Sequence, residues 1–220
     1  MNEKEIIKKP APRAYTLGEE IANAVTHGLT ALAAIIVTPF LILSAVKTGD
    51  PLTITAYSIF GGSLILLYVM STLYHSIVPA RIKKILRVFD HSSIYVLIAG
   101  TYSVFTLTVL RGPLGFSLFG AVWAIGILGI ILFAVFGQKV NKISLALYIL
   151  DGWAILFAFG PLKAAIPPLS LTFLVWGGAA YTGGAVFYAM KKVPWTHPVW
   201  HLFVMAGSVF HVMAAFAAIR

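Results

Sequence analysis

The sequence predicts an all-α fold: an integral membrane bundle of seven transmembrane helices. Three observations predict it. Hydrophobic residues make up 60% of the 220-residue chain and charged residues only 10%, whereas a water-soluble domain carries about 25% charged and about 45–50% apolar residues. A chain so poor in charge cannot cover a water-facing exterior, and lipid is the solvent it fits. Apolar runs long enough to cross a hydrocarbon core of roughly 30 Å, which takes about 20 helical residues, occur seven times. Lysine and arginine gather in alternate breaks between those runs, as the positive-inside rule requires.

The first element, residues 1–20, is a polar segment with two prolines and no apolar h-region, so no cleaved signal peptide is expected. The membrane domain fills residues 21–220. Its runs lie at roughly 21–46, 53–78, 89–110, 113–137, 143–161, 168–190 and 197–219. Each is continuously apolar, whereas a barrel strand would alternate over about ten residues. The breaks are KTGDP at 47–51, PARIKK at 79–84, RGP at 111–113, GQKVNK at 137–142, PLKAAIPP at 161–168 and KKVPWTHP at 191–198. The RGP turn is tight enough to make the third and fourth helices an antiparallel hairpin. Gly126, Gly129, Gly177, Gly178, Gly183 and Gly184 suit close helix approach. No internal repeat or low-complexity tract interrupts the pattern.

Orientation follows from the basic residues. With the N-terminus cytoplasmic, the inside segments hold Lys4, Lys8, Lys9 and Arg13, then Arg81, Lys83, Lys84 and Arg87, then Lys139 and Lys142, then Lys191 and Lys192. The outside segments hold only Lys47, Arg111, Lys163 and Arg220. An odd number of helices puts the C-terminus outside. The net charge of +9 is thereby explained by membrane orientation, and no nucleic-acid partner is expected. The partners expected are membrane lipids, and the place is the cytoplasmic membrane.

Ionisable groups inside such helices are costly and mark candidate functional positions. Glu20, Asn23 and His27 share one face at the cytoplasmic end of the first helix, by their i, i+3, i+7 spacing. Ser71 and His75, four apart, end the second helix. Asp90 and His91 open the third, and His197 and His201, again four apart, open the seventh. Four helices thus bring their polar side chains to one depth. The chain has no cysteine, so a transition-metal site must use histidine, carboxylate or water. Two imidazoles four residues apart on a helix reach one metal. Zinc takes four ligands, three from the protein at a reactive site, and His75 is the natural third beside His197 and His201. The bland alternative is that these histidines snorkel to the interface.

Asp90 has several roles open to it: ligating the metal, orienting a water, or accepting its proton. It also suits an N-cap of the third helix or a salt bridge to Arg87. Ser71 and Asn23 are candidate hydrogen-bond partners behind the ligands, although a hydroxyl in a helix also satisfies its own turn. His27 fits the polar wall of a cavity. His91 lies about 100° from Asp90 and is left outside the ligand set. Asp151, in the middle of the fifth run, and His211, ten residues past His201, lie away from this group and are candidates to pair with each other or with a cavity water; an unpaired carboxylate there is expected to be protonated.

Together these residues resemble a known family. Glu20-x-x-Asn23-x-x-x-His27, then Ser71-x-x-x-His75 followed by Asp90, then His197-x-x-x-His201 are similar to the three motifs of the hemolysin III group. That group is the bacterial branch of the progestin and adipoQ receptor family, which includes the adiponectin receptors. The resemblance covers all seven runs in order. It implies a seven-helix bundle with its N-terminus inside and a zinc ion held by His75, His197 and His201, with Asp90 linked through water. It further implies hydrolysis of lipid amides such as ceramide, and a part in haemolysis and in membrane-lipid and energy homeostasis. The chain departs from a receptor pattern in lacking a long extramembrane domain for a protein ligand. A zinc-dependent intramembrane hydrolase, with Asp90 as general base and Ser71 beside it, is therefore the first expectation. A non-enzymatic sensor with structural zinc is the second, and a pore or transporter the third.

Overall fold

The computed structural model describes residues 14–219. Lys4, Lys8, Lys9, Arg13 and Arg220, and most of the expected N-terminal segment, lie outside these residues. Among the described residues the chain is helical, with no strand. The helices are α1 (Leu17–Val46), α2 (Pro51–Ser76), α3 (Ala80–Leu107), α4 (Pro113–Phe136), α5 (Asn141–Gly152), α6 (Phe159–Ala165), α7 (Pro168–Ala189) and α8 (Thr196–Ala218).

Their starts are written in the sequence. Thr16 and Glu19 form a capping box on α1: the Thr16 hydroxyl accepts from the Glu19 N–H, and the Glu19 carboxylate accepts from the Thr16 N–H. Asp50 caps α2 ahead of Pro51, and Pro113 and Pro168 stand in the first turns of α4 and α7, where the missing N–H costs nothing.

Side-chain placement is inverted relative to a water-soluble protein. On α1, Leu17, Ile21, Val25, Leu29, Leu32, Ile36 and Phe40 point outward, while Glu19, Asn23, His27 and Thr30 are buried. Such an exterior needs lipid against it. Five stretches are long and apolar enough to cross a membrane: α1, α2, the run Pro113–Ala165, α7 and α8. The chain is a multi-pass membrane protein. Neighbours in sequence pack as neighbours in space, and α8 returns to α1 to close the ring.

α3 fails the apolar criterion for a physical reason. It runs through the middle of the bundle, touching α2, α4, α5 and α8, and every residue from Ala99 to Leu107 is buried. With no lipid-facing side along that stretch, it tolerates hydroxyls. Thr101, Ser103 and Thr106 each donate to the carbonyl four residues back. It also starts at Ala80 rather than near residue 89, because the basic residues of PARIKK are good helix formers and continue the helix beyond its apolar part.

The fifth run differs most from expectation. Residues 143–161 do not form one helix. α5 stops at Gly152, a tight 3-10 stretch covers Ala154–Ala158, and α6 covers most of the segment expected to be a break. Pro161 supplies no N–H and clashes with the carbonyl four residues back, and it falls in the first turn of α6, where a new helix tolerates it. The freed groups at the break are met by Tyr102 of α3. Its hydroxyl accepts from the Ile155 N–H at 2.7 Å and donates to the Gly152 carbonyl at 2.9 Å.

α2 and α8 are joined across the bundle at three levels. The Tyr57 hydroxyl donates to the Ala215 carbonyl at 2.7 Å, and Tyr68 bonds the Ser208 hydroxyl at 2.6 Å. His75 faces His197 and His201 at the third level.

Candidate metal centre

The three histidines meet where α2 ends and α8 begins. One ligand atom from each of His75, His197 and His201 lies within 4.8 Å of the others. The ring centroids stand 5.2 Å (His75–His197), 5.2 Å (His75–His201) and 4.8 Å (His197–His201) apart. His75 and His201 are buried, and His197 sits at the edge.

Surrounding groups fix which nitrogen each ring offers. The Nδ1 of His75 is 2.6 Å from a Glu20 carboxylate oxygen, which must receive a proton from it. The other Glu20 oxygen accepts from the Lys83 ammonium at 2.7 Å, and the Asn23 amide lies 3.4 Å from the same Nδ1. For His201 the partner is Thr26. The Thr26 hydroxyl donates to the carbonyls of Ala22 and Asn23, so at 3.3 Å from His201 Nδ1 it has only lone pairs to offer and accepts the Nδ1–H. Both rings therefore turn Nε2 lone pairs inward, and both Nε2 atoms are buried without any partner. An outward N–H held by a carboxylate or hydroxyl with a bare inward nitrogen is the arrangement of a metal-ligating histidine. The residues present fit zinc, which takes neutral imidazole nitrogen.

His197 is placed by the start of α1. Trp195, the residue before α8, adopts φ 65°, an uncommon backbone for a bulky side chain. Its N–H is held by the Glu19 carboxylate at 2.8 Å. Glu19 thus caps α1 and fixes the entry into α8 at once. Tyr15 stacks on His197 with centroids 4.8 Å apart, and burial pushes its phenol pKa upward, with Tyr74 adding to the effect.

A cavity of about 180 Å³ lies beside this cluster, between α3, α5, α7 and α8, and none of the three histidines lines it. Its walls are largely apolar side chains, and His27, Ser71 and Asp90 line it. The Ser71 hydroxyl has no hydrogen-bond partner. His27 stacks face to face on His201 at 3.5 Å, as a wall residue rather than one of the three ligands. Ser71 does not close onto its own helix turn, nor does it bond a histidine.

Asp90 is buried and within electrostatic reach of His27, His75 and His197. The alternatives expected for it fail. It lies well inside α3, so it is no N-cap, and it forms no ion pair with Arg87 among the described residues; His91 Nδ1 is 3.2 Å away instead. The His91 ring stacks on Phe133 of α4, away from the cluster. Asp151 and His211 do not pair. His211 packs its ring against Gly177, where a Cβ would collide with it, and faces Tyr181.

Glu20, Asn23 and His27 converge as their spacing implies. Glu19, Thr26 and Lys83 are the contributors that sequence reasoning missed. The T-x-x-E capping signature could have drawn notice to Glu19. Nothing in the sequence singles out Thr26 or Lys83.

Comparison with known proteins bears on this geometry. A model of the haemolysin-III-related family matches residues 15–212. The chain is 43% identical to the "Hemolysin-3 homolog" of Bacillus subtilis over 194 residues, 88% of this chain and 91% of that protein. It is 43% identical to "Hemolysin-3" of Bacillus cereus over 190 residues, 86% and 87% of the two. A human protein named "Monocyte to macrophage differentiation factor" is 26% identical over 215 residues, 94% of this chain and 88% of that one.

Proposed function

The chain belongs to the haemolysin-III-related family, and on that premise we propose that it is a zinc-dependent intramembrane hydrolase of lipid amide or ester bonds, ceramidase-like in its chemistry. The observation that carries the proposal is the convergence of three histidine ligand atoms next to an apolar cavity lined by Asp90, Ser71 and His27, the last of which stacks on His201.

In this reading the chain crosses the membrane seven times. The stretch Pro113–Ala165, 53 residues long, turns back at Gly137–Val140 and supplies two crossings, and α3 supplies the one its polarity conceals. The N-terminus is cytoplasmic and the C-terminus outside, because Arg81, Lys83, Lys84 and Arg87 lie at the cluster end while Arg111 pairs with Asp50 at the other. The bacterial cytoplasmic membrane is its place, and lipids are its substrates and surroundings.

His75, His197 and His201 hold the zinc, which supplies Lewis acidity toward a water and a carbonyl. The remaining steps belong to the chain. The apolar walls between α3, α5 and α7 take the acyl part of a lipid and exclude bulk water. Asp90 accepts the proton released by the attacking water and returns it to the departing amine or alcohol. Ser71 donates its free hydroxyl to the polar group at the scissile bond, and Glu20 and Thr26 hold the ligand rings in register.

Metal analysis of the detergent-purified chain without a histidine tag tests this. About one zinc per chain is expected, absent in a His197→Ala/His201→Ala variant. Hydrolysis of lipid amides must then stop on chelation and return with zinc. Full activity without metal sinks the hydrolase reading.

A second reading, a sensor in which zinc staples α2 to α8, draws on the same two helices. The Tyr57 and Tyr68 bonds already join them without metal, so the bundle does not need the ion as its staple. Metal loss that melts the protein, with no hydrolysis in the zinc-loaded form, would favour that reading.

A further inference from the structure

Asp151 stands outside everything the histidine cluster uses. The described residues hold five side-chain carboxyl groups, and four have polar partners. Glu19 binds the Trp195 N–H, Glu20 binds His75 and Lys83, Asp50 binds Arg111, and Asp90 lies against His91. Asp151 is fully buried, and neither of its oxygens has a hydrogen-bond partner.

Its position makes an unbalanced negative charge worse. Asp151 occupies the last turn of α5, where the helix dipole is negative. Lys142, on the same helix, is nine residues away, about 13 Å along the axis. Lys163 lies beyond the break, at the end of α6, and neither ammonium pairs with Asp151 among the described residues. Leaving a bare carboxylate in an apolar interior costs far more than folding can bear. The site therefore calls for one positive charge from outside the side-chain set.

The surroundings offer oxygen to hold it. Asp151 shares a face of α5 with Ser144 and Tyr148, the buried residues of that helix. Tyr148 packs on Tyr95 of α3 with centroids 4.4 Å apart. The Tyr95 hydroxyl is also buried, with Ser144 as its hydrogen-bonding neighbour, and Asp151 acts electrostatically on both Tyr95 and Tyr102. Immediately after Asp151 the helix is broken. Its freed carbonyl at Gly152 is taken by Tyr102, while the carboxyl is left open. Interrupted helices with an acidic residue at the interruption are where membrane proteins hold small cations.

We propose that the buried Asp151 carboxyl at the broken end of α5 is a second site that binds a monovalent cation, a proton or a sodium ion, independently of the histidine cluster. A divalent ion is disfavoured, because one carboxylate would leave a net positive charge in the apolar interior. Hard oxygen donors likewise exclude a soft metal.

Infrared difference spectra of the full chain in detergent, wild type against Asp151→Asn, test this in sodium buffer and in sodium-free choline buffer. If the occupant is a proton, the variant loses a carbonyl band of an un-ionised carboxyl, equally in both media. If it is sodium, that band is present only in choline and converts to carboxylate bands as sodium is added. Either result supports the site and names its occupant. Carboxylate bands in both media, unmoved by sodium, overturn it. The chain has only three aspartates, Asp50, Asp90 and Asp151. Isotopic labelling of aspartate in the wild type, with Asp50→Asn and Asp90→Asn to subtract the other two, gives the same readout if Asp151→Asn does not fold.

Discussion

The histidine cluster and the Asp151 break both bury polar groups in an apolar bundle, yet their surroundings differ. At the cluster, Glu20 and Thr26 take the outward N–H of His75 and His201. The atoms left bare there, the two Nε2 nitrogens and the Ser71 hydroxyl, face a common space or its cavity. At the break, the backbone is satisfied by Tyr102 and the bare atoms are the two oxygens of one carboxyl. The difference teaches how to read an unpartnered buried atom. Where its neighbours are fully engaged, the bare atom marks the place and charge of a ligand. Several bare nitrogens imply a transition metal, and a bare carboxyl implies a single positive charge.

The largest expected effect separates the two regions outright. His201→Ala should abolish bound metal, taking it from about one zinc per chain to none by elemental analysis, whereas Asp151→Asn should leave it unchanged. Metal loss in Asp151→Asn would show the regions coupled and break the comparison.

Glu20→Gln should act less severely. It keeps the shape of the side chain but removes the charge that holds the His75 N–H and the Lys83 ammonium. Outer partners of this kind are worth 10–100-fold in metal affinity, roughly, and competition with a chelator of known affinity reads the change. An affinity equal to wild type would mean that the Glu20 charge does not set the His75 tautomer.

Tyr102→Phe probes the other region. It strips the hydroxyl from the Ile155 N–H and the Gly152 carbonyl and leaves both without their bonds at the helix break. A loss of about 1–3 kcal/mol in stability is expected, read as a lowered unfolding midpoint in detergent, with metal content unchanged.

The same contrast explains what the sequence could disclose. Long apolar runs separated by basic or Gly/Pro breaks place six long helices within a few residues, save for the start of α3, because hydrophobic length is a local property. The interruption in the fifth run depends on Tyr102, some fifty positions earlier, and only Pro161 hinted at it. The convergence of the three histidines was legible because i, i+4 spacing is local and all three lie near helix ends on one side of the bundle. Their supports were not. Thr26 meets His201, and Lys83 meets Glu20, across helix interfaces that no periodicity records. The central place of α3 was hidden for a related reason. Its hydroxyls read as low hydropathy, when they signal a helix surrounded by protein.

A third carboxyl gives the smallest expected effect and the sharpest control. At the end opposite the cluster, Asp50 caps α2 through Thr53 and pairs with Arg111 at the α3–α4 turn. Hydrogen bonding from Arg111, then from Thr53, holds its carboxyl below the ordinary carboxylate range. A carboxyl whose folded pKa is depressed stabilises fully above its unfolded value, about 4, and loses that contribution as pH falls toward the folded one. Asp50→Asn preserves the cap and deletes the charge. Its unfolding midpoint should therefore lie slightly below wild type near neutrality, and the gap should close as the medium is acidified below about pH 4. Added salt should narrow the gap at neutral pH, because this pair stands in water. Salt should change far less the metal content that the half-buried Glu20–His75 pair supports. A gap that widens on acidification would mean that Asp50 is held by something other than its cation, and the contrast between charge met in water and charge met in the bundle would lose its control.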